Sequence, residues 1–335
     1  MARSSSWVGV VLCATGCVSR PSHDGPMPVR NQHPAQLTVL HLDPAATQVL
    51  APGAVRVREN LAYTSLWLRG SAPGRTYEMD GETLRAATAL QVGLGKGLQA
   101  GVELPVVHTS GGFLDGFVID YHQFFGFPDQ ARDQAARDQF SIVARENGQT
   151  VWSVERSEAE LMDVPLSLTW QALDCTASRP GLALRAGVEL PTGDAAKGYG
   201  SGGVDASLGL LLEHHTGPIA WYGHAQHTVA ATPNQTRRRG RSFADVSSLG
   251  LAGELPLADS LQVLVQIEWE TSTLRELVLP AVARDQLLLW VGGRWWPDAD
   301  WAVEVGFGED LQGLVSPDFT AWLGVVWQPG RATGR

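Results

Sequence analysis

The sequence predicts an all-β fold, a closed antiparallel transmembrane barrel of about fourteen strands with twelve as the alternative count. Three observations predict it. Apolar and polar residues alternate over stretches of about ten residues, as strands with two unlike faces require. The connections between these stretches alternate between short and long along the chain, as a barrel with one plain rim and one elaborate rim demands. No window approaches the roughly 18 apolar residues of a spanning helix.

Composition narrows the class. The 335 residues are 44% hydrophobic and 18% charged, too apolar for a disordered chain. The formal charge of −10 argues against nucleic acid as the main partner.

Residues 1–16 read as a signal peptide, with Arg3 before the apolar run Trp7–Ala14. The small residues Ala14-Thr15-Gly16 then precede Cys17, which resembles a lipoprotein signal with Cys17 as the acylated residue and lipid anchor. Ordinary signal cleavage is the alternative. Residues 17–55 form a periplasmic leader rich in Pro, His, Asn and Gln, whose one apolar stretch, Leu37–Leu42, suits it to tuck into the rest. Cys175 is a lone thiol in a turn, able to pair with Cys17 if that residue escapes acylation. No metal-ligand spacing is present, and no cofactor is expected.

The barrel is expected over residues 56–328, followed by a tail at 329–335. In Leu261–Glu270, Leu261, Val263, Val265, Ile267 and Trp269 share one face and Gln262, Gln266, Glu268 and Glu270 the other. Leu182–Pro191 and Trp301–Gly308 repeat the pattern. Strands are placed at 56–69, 82–94, 97–108, 139–147, 149–157, 163–173, 181–191, 204–214, 218–230, 245–256, 260–271, 286–296, 300–308 and 318–328. Short turns, such as Gly95-Lys96-Gly97 and Thr216-Gly217, then face long loops, among them Ser71–Gly81 and Thr109–Asp138. Trp67, Trp152, Trp170, Trp221, Trp269, Trp295, Trp296, Trp322 and Trp327 fall near strand ends, as interfacial girdles do. The last strand, Phe319–Trp327, partly resembles the carboxy-terminal signal read by the barrel-assembly machinery, an expected partner.

Gly111–Phe140 breaks the alternation. Phe113, Phe117, Tyr121 and Phe124 recur at helical spacing, so a partly helical loop is expected over or inside the barrel mouth. Its charges Asp115, His122, Arg132, Asp133, Arg137 and Asp138 are candidates for a constriction. Lumen candidates on the strands are Arg85, Glu103, Arg185, Glu189, Asp205 and Glu268, with Glu213, Glu254, Glu270, Arg294 and Glu304 beside them. An acid-rich wet interior favours cations or polar uncharged solutes; crossed Glu–Arg ladders filling a narrow barrel are the plainer alternative. His224 and His227 lie on opposite faces of one strand and cannot hold one ion together, and His214 and His215 diverge likewise. Ser207 and Glu213, on the strand beside His224, leave a hydrolase open. Arg237, Arg238, Arg239 and Arg241 on the long-loop rim suit lipopolysaccharide phosphates or plain solvation.

Several blocks carry a resemblance. His108-Thr-Ser-Gly-Gly-Phe-Leu-Asp115, His122-Gln-Phe-Phe-Gly-Phe-Pro128, Arg132-Asp133 and Arg137-Asp138-Gln-Phe140 resemble an uncharacterised domain-of-unknown-function family of Gram-negative outer-membrane β-barrels. Asp80-Gly-Glu82-Thr-Leu-Arg85, Leu190-Pro-Thr-Gly-Asp194, Gly200-Ser-Gly-Gly-Val-Asp205 and the leader piece Arg30-Asn31-Gln-His33-Pro34 agree. The resemblance implies an outer-membrane location and a barrel architecture, and assigns no site residue. The function expected is a narrow channel or transporter for a small polar solute, in contact with outer-membrane lipid and lipopolysaccharide. A lipid or lipopolysaccharide hydrolase and a non-transporting structural or assembly protein are the alternatives, and an enzyme is the less favoured class.

Overall fold

The computed structural model describes residues 23–126, 131–277, 279–312, 317 and 319–330. The signal peptide, Cys17 and the last five residues of the tail therefore lie outside the described residues.

Strands β1 (Val55–Ala72), β2 (Arg75–Gly95), β3 (Leu98–Ser110), β4 (Ser141–Glu146), β5 (Gln149–Val154), β6 (Glu160–Leu161) and β7 (Val164–Leu173) form the first half. The second half holds β8 (Gly181–Leu190), β9 (Asp205–Thr216), β10 (Ile219–Val229), β11 (Val246–Ala258), β12 (Leu261–Glu270), β13 (Gln286–Trp295), β14 (Trp301–Asp310) and β15 (Phe319–Trp327). All pairings are antiparallel. The ring runs β1, β2, β3, then β7 through β15, and closes when Val57–Ser65 of β1 pairs with Trp327–Phe319 of β15. Closure leaves no ring strand with an open edge.

Among the described residues the ring has twelve strands, which corrects the expected fourteen in favour of the alternative count. The cause lies in β2. One edge of that strand serves two partners: Glu82–Gly95 pairs with β3, while Arg75–Asp80 pairs with β4. The segments expected at 139–147 and 149–157 therefore stack as β4 and β5 above the ring rather than within it. The expected loop Ser71–Gly81 is also strand, because β1 and β2 continue in full register to the turn at Pro73-Gly74. Strand β6 meets β3 beyond the point where β7 departs.

The side-chain pattern is inverted relative to a soluble core. Outward positions are apolar and exposed, such as Leu208 (71%), Leu251 (56%) and Val305 (55%). Many inward positions are polar and buried, including Gln262, Gln266, Glu268 and Glu270 on β12, while Leu264, Leu288, Trp290 and Trp322 form an apolar inward patch. Trp170, Trp221, Trp295, Trp301 and Trp327 are exposed near the short-turn rim, as an interfacial girdle requires. Three tryptophans placed in that girdle from sequence are interior instead. Trp152 is buried beneath the long loops, and Trp296 and Trp322 face inward.

At the long-loop rim an apolar dome closes the barrel. Leu66 and Leu68 of β1, Tyr77 and Met79 of β2, Ile142 of β4 and Val151 and Trp152 of β5 join Phe243, Leu274, Leu277, Leu279 and Val282 from the loops. Glu146 at the end of β4 ties the hairpin down through Arg241 (Nε 2.9 Å) and Arg75 (3.0 Å). Hydrogen bonds from Arg241 first and Arg75 next hold its carboxyl below the ordinary value.

Trp152 is the largest fully buried side chain of the dome. Trp152→Ala is expected to cost about 3–5 kcal/mol through the cavity left behind. Thermal unfolding in detergent, followed by heat-modified electrophoretic mobility, is the check; an unchanged midpoint contradicts the dome as a packed unit.

Candidate functional site

The lumen is filled by the amino-terminal leader. Residues 24–51 enter at the short-turn rim, climb along β11 and β12, turn at the 3-10 segment Gln36–Thr38 and descend along β10, β9 and β8 before entering β1. The segment has almost no regular structure, so its backbone donors cannot be met by a neighbouring strand. A buried unpaired amide is costly, and each must find another acceptor. Composition removes part of the demand: Pro26, Pro28, Pro34 and Pro44 carry no N–H. The wall meets much of the rest.

On the ascending limb, the backbone N–H groups of Asp24 and Gly25 donate to Glu254 at 3.1–3.2 Å. Met27 N–H donates to Gln266 Oε1 at 2.6 Å, and Gln266 Nε2 returns a bond to the Met27 carbonyl at 3.1 Å. Near the tip, Asn31 and Gln36 side chains donate to Glu270 at 2.6 and 2.7 Å. On the descending limb, Leu40 N–H donates to Asp205 (3.0 Å), Leu42 N–H to Gln226 (2.9 Å) and Thr47 N–H to Glu213 (3.0 Å). Val49 and Leu50 finish on Gln171 and Gln99. Arginines take the opposite role, since Arg294 donates to the Gly25 carbonyl at 2.9 Å and Arg185 to that of Asp43.

The wall is shaped for the leader as well as charged for it. A Cβ at Gly93 on β2 would lie 2.1 Å from the Ala51 carbonyl oxygen, so only glycine lets the backbone cross there. At Gly292 on β13 it would lie 2.6 Å from Met27 Sδ. The tip residues Ala35, Leu37 and Val39 join the apolar dome. His33 nearby accepts from Ala35 N–H through Nδ1 (3.2 Å), which leaves Nε2 as the protonated nitrogen facing Tyr77 Oη at 3.1 Å. Burial lowers its pKa to about 4.

Beneath the leader lies an ion network. Arg294, fully buried, meets Glu304 and, at 3.3 Å, Glu254; Arg58 meets Glu304 at 2.9 Å and Tyr222 donates to Glu254 at 2.7 Å. Of the lumen residues expected from sequence, Arg85 pairs with Glu103, Asp205 and Arg185 hold the leader, and Glu268 faces His224 at 3.7 Å. Glu189 is buried on the same inward face of β8 as Arg185.

The expected constriction loop is elsewhere. Helix α1 (Asp115–Phe125) packs on the outer wall, where Phe117 and Tyr121 touch Phe319 and Phe113 touches Tyr63, both outward-facing residues. Glu82, also on the outward face of β2, accepts from the Phe113 N–H at 2.9 Å and from that of Leu114 at 2.5 Å. Asp115 binds Arg132 at 2.7 Å and accepts from Asp138 N–H, so this pair pins the loop to itself; Arg132 also reaches Ser65. His122 is buried on the helix, whereas Asp133, Arg137 and Asp138 are exposed. None of these six charges lines the lumen. The helix leaves Phe117, Phe124 and Phe125 exposed on the outside of the barrel. The spacing of the aromatics marked a helix but carried no information about which surface of the sheet it would cover.

Nor does the hydrolase arrangement form. Ser207 Oγ donates to the His227 carbonyl and accepts from Thr228, and its partner across the sheet is Thr228 rather than His224. The short-turn mouth keeps an open vestibule of about 680 Å³, lined among others by Asp24, Gln48, Arg56, Gln91, Gln99 and Gln328. It ends blindly on the leader.

A profile described as "Protein of unknown function (DUF3187)" matches residues 5–328. Comparison with curated proteins finds no match. Among solved structures, the COG4313 outer membrane channel from Pseudomonas putida F1 is similar, with a TM-score of 0.56, 13% identity, and 86% of this chain and 100% of that chain covered. A KdgM porin in complex with disordered oligogalacturonate gives 0.42, with 8% identity, 82% of this chain and 98% of that chain covered. The P. putida toluene transporter TodX gives 0.41, with 11% identity, 89% and 93% covered. At these identities the first likeness speaks for the barrel fold alone.

Two outcomes follow from the lumen. Gly93→Val is expected to expel the descending limb near Leu50–Ala51, read as new protease cleavage within residues 40–52 while the barrel keeps its folded mobility. Arg294→Met takes the only ion-pair partner of Glu254 among the described residues, leaves Glu304 with Arg58 alone, and is expected to cost about 3–5 kcal/mol. Restoring neutrality with Glu254→Gln in the same chain is expected to recover part of that loss in the thermal midpoint.

Proposed function

Because the chain belongs to the DUF3187 family, whose function is unknown, its role has to be read from its own lumen, and we propose a channel of the outer membrane held shut by its leader. In this reading the short-turn rim faces the periplasm and the long loops face outward. The apolar belt and the tryptophans near one rim support a place in a bilayer. The leader enters from the periplasmic side and is the gate.

One observation carries the proposal. Both limbs are tied along their length by hydrogen bonds to wall side chains that water can also satisfy, with an apolar contact where Met27 and Val29 pack against Leu264, Leu288, Trp290 and Trp322. Withdrawal of the limbs leaves a conduit lined by Asp205, Glu213, Gln226, Glu254, Gln266 and Glu270, with an apolar patch of Leu264, Leu288, Trp290 and Trp322. Such a lining admits small polar solutes and prefers cations over anions. The dome at the outer rim must loosen with the tip, since Ala35, Leu37 and Val39 are part of it. Outer-membrane lipid and lipopolysaccharide surround the barrel in this reading, with the barrel-assembly machinery as its route into the membrane.

Planar-bilayer recording tests the gate. The intact chain is expected to conduct rarely, and a chain lacking residues 24–51 to conduct steadily with cation preference. If the deleted chain is folded yet remains silent, the channel reading fails.

A further inference from the structure

The short-turn vestibule holds a group of side chains whose geometry the gate does not explain. Cys175 in the β7–β8 turn joins Glu213 and His215, two residues apart and so on one inward face of β9. Their sulfur, carboxylate oxygen and imidazole nitrogen all lie within 4.8 Å of one another. His215 Nε2 and Glu213 Oε1 are 2.9 Å apart. The His23 ring lies against that of His215, centroids 4.6 Å apart, and its Nδ1 is buried without a hydrogen-bond partner among the described residues. All four residues line the vestibule, which gives an ion a way in.

We propose that this is a transition-metal site of the zinc class, with Cys175, Glu213 and His215 as ligands and His23 as the fourth. Thiolate, imidazole and carboxylate together suit a borderline-soft divalent ion and disfavour magnesium or calcium, which take oxygen. The second oxygen of Glu213 is already oriented by Thr47, through its N–H at 3.0 Å and its hydroxyl at 2.8 Å, as supporting groups orient metal ligands. On binding, the Cys175 thiol releases its proton to solvent and a metal–sulfur bond forms, while the imidazoles bind neutral. The bound ion joins the root of the leader to β9 and to the β7–β8 turn. The site stands whether or not the barrel conducts.

The test uses the full exported chain in detergent after chelator treatment, with Zn²⁺ and Co²⁺ as the probes. One Zn²⁺ per chain is expected by competition with a chromogenic chelator, and Co²⁺ is expected to produce a sulfur-to-cobalt charge-transfer band. Cys175→Ser is expected to abolish the band and weaken Zn²⁺ binding more than about tenfold, with Glu160→Gln, at the opposite rim, unchanged. His23→Ala, in the leader and outside the sheet, keeps the band and weakens binding, which preserves the test if Cys175→Ser does not fold. Absence of the band, its persistence in Cys175→Ser, or a Cys17–Cys175 disulfide in the exported chain overturns the proposal.

Discussion

The constraint on which the structure turns is the satisfaction of a buried irregular backbone. A strand inside a barrel would add ladder partners, but the leader crosses the lumen as a nearly structureless hairpin. Its amides must be met by side chains or removed by proline, and both devices are used. The rows of Gln, Glu and Asp on the inner wall are thereby explained as acceptors placed for particular leader donors. Arg294 and Arg185 do the converse for leader carbonyls. An acid-rich lumen usually suggests something about a permeant ion. Here many of the carboxylates have a partner in the same chain.

Much of the architecture was legible because strand alternation is a local property. The faces of β8 and β12 read from sequence are the faces found, apolar outward and polar inward. The strand count was less legible, since β4 and β5 have ordinary alternation and nothing local reveals that β2 offers one edge to both β3 and β4. The loop before β4 was read as helical, which α1 is, but a helix with Phe117 and Phe124 on it fits a lumen, a dome or an outer wall equally. The buried acids at Glu82 and Asp115 decide for the outer wall, and their partners are visible only in three dimensions.

The leader was the least legible part, and for a physical reason. Irregular segments have no period, so the only sequence signs were a density of proline and a short apolar stretch at Leu37–Leu42. Glycines on the inner wall were a second sign: Gly93 and Gly292 sit within strands, where glycine weakens a sheet unless another backbone or side chain comes close. The Cys175, Glu213 and His215 cluster was hidden differently. His214 and His215 diverge, as adjacent strand residues must, but the useful spacing was the two-residue step from Glu213 to His215, completed by a turn far away in sequence.

The leader is not held uniformly, and the difference decides where opening meets resistance. Each limb hydrogen bond given up to water costs on the order of 1 kcal/mol, because water replaces the lost partner. Apolar side chains are different: exposing Met27 and Val29 on the ascending limb, or Leu37 and Val39 at the tip, costs about 1.5–3 kcal/mol each, with nothing in water to compensate. The dome around the tip is also built from three separate parts, the β1–β2 extension, the β4–β5 hairpin and the loops carrying Phe243 and Leu274. Loss of any one part loosens the others. Apolar restraint on the hairpin therefore lies in two places, the dome and the contact of Met27 and Val29 with Leu264, Leu288, Trp290 and Trp322, and whatever displaces the leader has to break both.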